Sequence, residues 1–511
     1  MSEREYIVTL KAGVDYEAFN QEMIATTGAG DIPSRSVDVA NARPGSKRNT
    51  HYALTDEEAV ALRNDDRVVD VQIPPEQRSD IEIGLNATQV GDFTKTFSDS
   101  GNFINWGLRR CISPDNPYGE NLAPADQNFN YTLDGTGVDV VIQDSGIQVD
   151  HPEFQDADGV SRVQQINWYT ESGISGVQSP NHYRDFDGHG THCAGIAAGK
   201  TYGWAKNARI YSVKVGGLEA PSDSGSGIPV SDCFDVIKLW HRNKPVDPAT
   251  GQKRPTIVNM SWGYGTYFSA IDGGVYRGTP WTGTTRDTSK GMVGVFNGLG
   301  YRFGIRVASV DADVEEMIDE GIHVCVAAGN SYQKVDVEGG LDYNNYFLQN
   351  GVVPLYYNRG GSPFSTRAHI VGNADASTFD ATFERKAGSS ETGPGVSVYA
   401  PGTNIMSATS TTNRFTDGAY PADNDFRICN ISGTSMAAPQ VCGLGACVLQ
   451  LNPDWTPERL LEWINGNAQT GKLNDNGNDA DYTNNATILG GNNRYLYQPF
   501  NSPYVLQIRN V

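Results

Sequence analysis

The chain has 511 residues and a formal net charge of −21, with 60 acidic residues against 39 basic ones, a balance that argues against nucleic acid or an anionic membrane as the main partner. No apolar run approaches the roughly 20 residues of a membrane span, and the length exceeds what one ordinary domain needs for its core. Seven scattered cysteines, an odd number with no CxxC pair, read as reduced small hydrophobes and not as a zinc ribbon, a redox motif or a disulfide framework. The start, Met1-Ser-Glu-Arg-Glu-Tyr, is charged and passes straight into a strand pattern. That reads as a chain without an export signal, cytoplasmic as made and then carried in a particle such as a virion or released by lysis.

In chain order, residues 6–10 predict a strand and Asp15 caps a helix over 16–23. A weak strand near 36–40 and a stronger one at 51–54 follow. Thr55 and Glu58 form a capping-box signature for a helix reaching about 64, and 68–73 closes the segment as a strand. The order β-α-β-β-α-β predicts a small α+β ferredoxin-like module over residues 1–75, ended by Pro74 and Pro75. Residues 76–101, polar and without a period, read as a linker. A larger domain spans 102–500, with 501–511 as a tail. It alternates strands at 138–143, 209–215, 256–260, 322–327, 370–373 and 396–400 with helices at 231–240, 306–320 and after Thr456-Pro457, a cap followed by an N1 proline. This pattern predicts an α/β fold with a mainly parallel sheet, with sites at the carboxyl ends of the strands. Two stretches near 264–305 and 331–367, rich in Gly, Thr and aromatic residues, show no period and read as functional or partner-docking insertions. The run 474–479 lacks the terminal acid of a calcium loop and reads as an ordinary loop.

Four segments carry chemistry. Asn430 to Pro439 reads N-I-S-G-T-S-M-A-A-P and leads into a stretch that is small or apolar all round, so a buried helix is expected with Ser435 at its mouth. Backbone N–H groups point outward there and favour developing negative charge, which suits a nucleophile. Asp144 follows the strand 138–143 and sits at its carboxyl end. His189 lies in D-G-H-G-T-H-C-A-G, at a helix start. His192 has no H-E-x-x-H partner, so no metal site is assigned. Asn330 ends V-C-V-A-A-G-N, and its amide is a donor suited to an oxyanion hole.

The order Asp144, His189, Ser435 is that of a subtilisin-type triad, and the chain resembles the subtilisin-like serine proteases, in particular their proteinase K branch. The matching pieces are N-W-G-L from Asn105, D-S-G-I and H-P-E-F after Asp144, D-G-H-G-T-H-C-A-G from Asp187, T-Y-G-W-A-K from Thr201, V-N-M-S-W-G from Val258, A-A-G-N from Ala327, A-P-G from Ala400 and S-G-T-S-M-A-A-P from Ser432. The first seventy or so residues resemble the family's inhibitory pro-domain more loosely. The resemblance implies a three-layer serine endopeptidase acting on protein or peptide substrates, with Asp144, His189 and Ser435 as triad and Asn330 at the oxyanion. It implies an extended substrate held by Ser224, Gly225, Ser226 and Gly227 on one side and Ser261, Trp262 and Gly263 on the other, near Ala328 and Gly329. It also implies self-removal of the pro-domain, an intramolecular partner, by a cut between Pro75 and Phe103. Trp262 stands where the family usually has Leu. Ser397 replaces an aspartate that binds calcium in relatives, and no calcium-binding insertion lies between Gly199 and Gly203, although Glu153 and Asp375 leave carboxylates nearby. These departures argue against structural calcium, and the chemistry itself needs no cofactor. The alternative is an assembly protein on a protease scaffold, docked to a larger particle through its insertions.

Overall fold

The computed structural model describes residues 3–25, 28–85, 105–117, 129, 131–248, 250–268, 271–296, 300–349, 353–378, 380, 382–475 and 487–498. The first module runs β1 (Arg4–Leu10), α1 (Tyr16–Ile24), β2 (Val39–Asn41), β3 (Asn49–Leu54), α2 (Asp56–Leu62) and β4 (Val68–Gln72). Its helices start where local chemistry dictates. The Asp15 carboxylate accepts from Ala18 N, and Thr55 and Glu58 close both arms of a capping box. The sheet is antiparallel in the order β2-β3-β1-β4, the ferredoxin-like arrangement expected. Phe19 and Met23 of α1 and Leu62 of α2 pack on Val8, Tyr52, Leu54 and Val71 to form a separate core.

The large domain is a three-layer α/β fold of the subtilisin type. Its central sheet has the order Gln469–Thr470, Arg494–Tyr495, β13 (Val398–Pro401), β12 (His369–Thr378), β11 (His323–Ala327), β8 (Thr256–Met260), β6 (Asp139–Asp144), β7 (Arg209–Lys214), Val163–Gln164. From Arg494–Tyr495 to Val163–Gln164 every pairing is parallel. The inner strands are buried on both faces, as parallel sheets require. Helices α3 (Trp106–Cys111), α4 (His189–Ala198), α5 (Val230–Asn243), α6 (Ala308–Asp319), α7 (Thr434–Leu451) and α8 (Pro457–Asn467) complete the layers. From Thr434 to Leu449 every residue of α7 is buried. Close contact with α4 depends on glycine: a Cβ at Gly443 would stand 2.4 Å from Ala197 O. All seven cysteines are free and buried.

Two expectations need correction. The segment read as a linker contains β5 (Glu82–Leu85), which pairs antiparallel with β9 (Trp262–Phe268). No local pattern marks it, because a short Ile-Glu-Ile-Gly-Leu run becomes a strand only when another edge supplies its hydrogen bonds. The insertions are not irregular loops. The first continues β9 to Phe268 and returns as β10 (Tyr301–Gly304), bonded to the edge of β9 opposite β5. Its hairpin Gly274–Tyr276/Thr279–Trp281 pairs with Tyr346–Gln349 of the second insertion, which pairs in turn with Val353–Tyr356. Residues 476–479 of the loop beginning at Asn474 lie outside the described residues.

The first module is seated on α5 and α6 through charge. Arg43, 3% exposed, donates from Nε to Asp235 at 2.9 Å and from Nη2 to Asp313 at 2.9 Å. Lys238 joins the same cluster, 3.0 Å from Asp235 and 2.7 Å from Glu316. Lys47 N donates to Glu316 at 2.8 Å, and Asn49 Nδ2 to Ser309 O at 3.1 Å.

Candidate active site

Three adjacent strands bring the site together. The order β11-β8-β6 places Asn330, three residues past β11, Ser261, which follows β8, and Asp144, the last residue of β6, side by side at their carboxyl ends. Helix α4 begins at His189. A Cβ at Gly190 would lie 2.1 Å from Gly146 O, so glycine is what lets α4 approach β6 this closely. His189 Nδ1 meets Asp144 Oδ1 at 2.8 Å, and both side chains are buried. The same carboxylate oxygen accepts from Ser145 N at 2.7 Å. Ser145 Oγ accepts from Gly190 N and donates to Asp185, which also takes Gly188 N and both donors of Thr191. Burial raises the Asp185 carboxyl above its ordinary range. His189 Nε2 is buried and makes no hydrogen bond within the described residues.

Ser435 is the second residue of α7, where an amide has no partner inside its own helix. Pro439, four residues on, lacks the N–H that would bond to Ser435 O. That carbonyl is taken instead by Ser261 Oγ at 2.9 Å and by the Cys193 thiol at 3.4 Å. The Ser435 hydroxyl donates back to Ser261 O at 3.0 Å. Cys193 Sγ also lies 3.8 Å from His189 Nδ1, so one thiol touches both the imidazole and the serine backbone. Asn330 Oδ1 accepts from Thr434 N at 3.0 Å and Thr434 Oγ1 at 3.1 Å, which ties the Asn330 amide to the first residue of α7. Thr434 Oγ1 in turn accepts from Gly329 N.

The residues expected to hold substrate divide into two groups. Trp262, Gly263, Tyr264 and Gly265 pair in register with Leu85, Gly84, Ile83 and Glu82. Trp262 lies opposite Leu85, while its ring is 1% exposed, packs against Phe234 and Tyr264 and donates to Gln143. Ser224 and Gly225 are exposed, and Ser226 is tied to Lys214 at 2.9 Å. Among the described residues no backbone hydrogen bond joins 224–227 to β5. Ala328 N bonds to Val371 O, and behind Gly329 lies the buried Glu391 carboxyl, with Glu391 N bonded to Gly329 O.

His192 is a core residue. Its Nε2 lies 3.1 Å from the carbonyls of Ile405 and Cys429, and burial pulls its pKa down to about 3. The candidate calcium carboxylate Glu153 is committed to protein donors: Thr201 N and Tyr202 N on one oxygen, Tyr420 Oη on the other. The Ser397 hydroxyl donates to Ile370 O. Neither position fits a calcium ligand. Sequence reading missed Cys193, Thr434 and Ser145 as neighbours of the site. Cys193 and Thr434 lie inside the quoted motifs, and Ser145 follows Asp144 directly.

The profile of the subtilase family, peptidase S8, matches residues 135–485. A cuticle-degrading serine protease of Arthrobotrys oligospora is 27% identical over 73% of this chain and 65% of its own length. Subtilisin-like protease 3 of Arthroderma otae is 28% identical over 87% of this chain and 81% of its own. Among solved structures, fervidolysin from Fervidobacterium pennivorans, a keratinolytic enzyme related to subtilisin, superposes with a TM-score of 0.52 at 17% identity, covering 97% of this chain and 60% of its own. The chain thus spans about two thirds of the first relative's length.

Proposed function

This chain belongs to the subtilase family, and on that premise we propose that it is a serine endopeptidase whose first module feeds its own connecting strand to the active site. The observation that carries the reading is the buried Asp144–His189 pair at 2.8 Å, with Cys193 touching both His189 and Ser435.

In the reaction, the Ser435 hydroxyl leaves Ser261 O and turns to His189 Nε2, which takes its proton as Oγ attacks the peptide carbonyl. Rearrangement of this kind on substrate binding is normal for catalytic hydrogen bonds. Asp144 holds Nδ1–H, sets the tautomer and stabilises the imidazolium. The oxyanion is met by Asn330 Nδ2 and Ser435 N–H. His189 then protonates the leaving amine, and water repeats the sequence on the acyl-enzyme. Every proton in these steps moves between side chains of this chain, the substrate and water.

The self-directed part rests on β5. Leu85 pairs with Trp262, the neighbour of Ser261, whose carbonyl accepts the Ser435 hydroxyl. A strand in that position holds its next residues close to the nucleophile and behaves as a substrate added by β-augmentation. The cut is proposed within the few residues after Leu85. Docking of the insertions to a larger particle would be a separate property, and here they are assigned to the cleft. The test is hydrolysis of unfolded casein together with labelling by a fluorophosphonate. Wild type should show both and Ser435→Ala neither. Unlabelled wild type with no peptidase activity after removal of the first module would refute the reading.

A further inference from the structure

The first insertion places a cation on the bound strand. Because β9 runs on to Phe268, it accepts β5 on one edge and β10 on the other. Arg302 of β10 sits opposite Tyr267 in register, and its side chain crosses β9 toward β5. It has room to do so because two glycines lie in its path. A Cβ on Gly265 would stand 2.8 Å from the Arg302 guanidinium, and one on Gly84 would stand 3.0 Å from its Nη2. Beyond them, Arg302 Nε reaches the Glu82 carboxylate at 3.3 Å. Glu82 and Gly84 are two apart on an extended strand, so they share one face, and the guanidinium covers both. Its side chain is 14% exposed and that of Glu82 is 47%, so the cation is mostly sheltered and the carboxylate is the more exposed partner.

We propose that Arg302 is a specificity-determining residue that selects substrates with an acidic side chain two positions before a glycine or other small residue, in the segment preceding the cleaved bond. The proposal rests on reading β5 as a bound substrate and names the sequence class that this cleft takes. The acidic position is set by charge. The small position is set by space, since a larger side chain would have to displace the guanidinium from the trough. Both preferences come from the insertion, because β10 supplies the arginine.

The experiment uses fluorogenic peptides covering Ser79 to Thr88 with the purified processed enzyme. Three peptides are compared: the native one, Glu82→Lys and Gly84→Pro. Three enzymes are used: wild type, Arg302→Gln and Arg302→Glu. Rankings within each enzyme need no comparison of absolute rates, so a loss of overall activity in a variant leaves the test intact. Wild type should favour Glu over Lys by about three- to fivefold in kcat/KM, the range of a single partly exposed ion pair, and this ratio should shrink with added salt. Arg302→Gln should flatten the ratio and Arg302→Glu should invert it. Equal ratios in all three enzymes would overturn the role of Arg302. The proline peptide separates the two claims. It lacks the N–H that pairs with β9 and should be cut poorly by every enzyme. If it is cut as well as the native peptide, the reading of β5 as substrate falls too.

Discussion

At the scale of single residues, the site depends on where each polar atom is committed. Asn330 holds its carbonyl oxygen on Thr434, and the proposed reaction gives its amide nitrogen the oxyanion. Asn330→Ala should therefore lower kcat by about 10²–10³ with little change in KM, because the lost bond belongs to the transition state. Steady-state kinetics on one peptide measures this. Glu391 supplies a second prediction. Burial raises its carboxyl to about 8, above the ordinary glutamate value of 4.5. The folded protein then retains a proton that the unfolded chain releases near 4.5, so this stabilising contribution is full below about 4.5 and is lost as pH rises toward 8. Thermal unfolding of the Ser435→Ala protein should show stability falling over that window by up to a few kcal/mol. Glu391→Gln should remove most of that slope, and an unchanged slope would place the titration elsewhere. Asp144, His189, Ser435 and Asn330 stand out in the sequence as candidates because each sits in a short local motif. The Ser261–Ser435 exchange does not, because it arises only when Pro439 strips a donor from a carbonyl in another element.

At the scale of elements, periodicity and caps located α5, α7, the start of α8, six strands of the central sheet and the order of elements in the ferredoxin-like module, while the short edge strands Val163–Gln164, Gln469–Thr470 and Arg494–Tyr495 carry no local pattern. What periodicity and caps missed are strands made by partners far away in the chain. Glu82–Leu85 is ordered by Trp262–Gly265, and Gly274–Val275 by Tyr346–Phe347, so no local period marks them. The docking of the module on α5 and α6 was invisible for the same reason. Arg43 looks like any loop arginine until Asp235 and Asp313 close on it. Removing one member of a buried ion cluster leaves the others uncompensated, at about 3–5 kcal/mol. In the Ser435→Ala chain, Arg43→Ala should loosen the module by that order, read as faster amide exchange on the faces of α5 and α6 that Arg43, Lys47 and Asn49 cover. Unchanged exchange would mean that the remaining contacts hold the module without Arg43.

At the scale of the whole molecule, the two domains form one device. The first module docks on α5 and α6, and the chain leaving it lies on β9, one residue from Ser261 and hence beside Ser435. The insertions enlarge that surface, since β10 backs β9 and carries Arg302 to the bound strand. The central claim is that a working triad acts on this tethered strand, and intact mass after expression tests it most directly. Wild type should be shortened from its N-terminus to a point soon after Leu85, while Ser435→Ala should keep its full mass. Wild type and Ser435→Ala both at full mass would contradict the account, and so would equal shortening of the two.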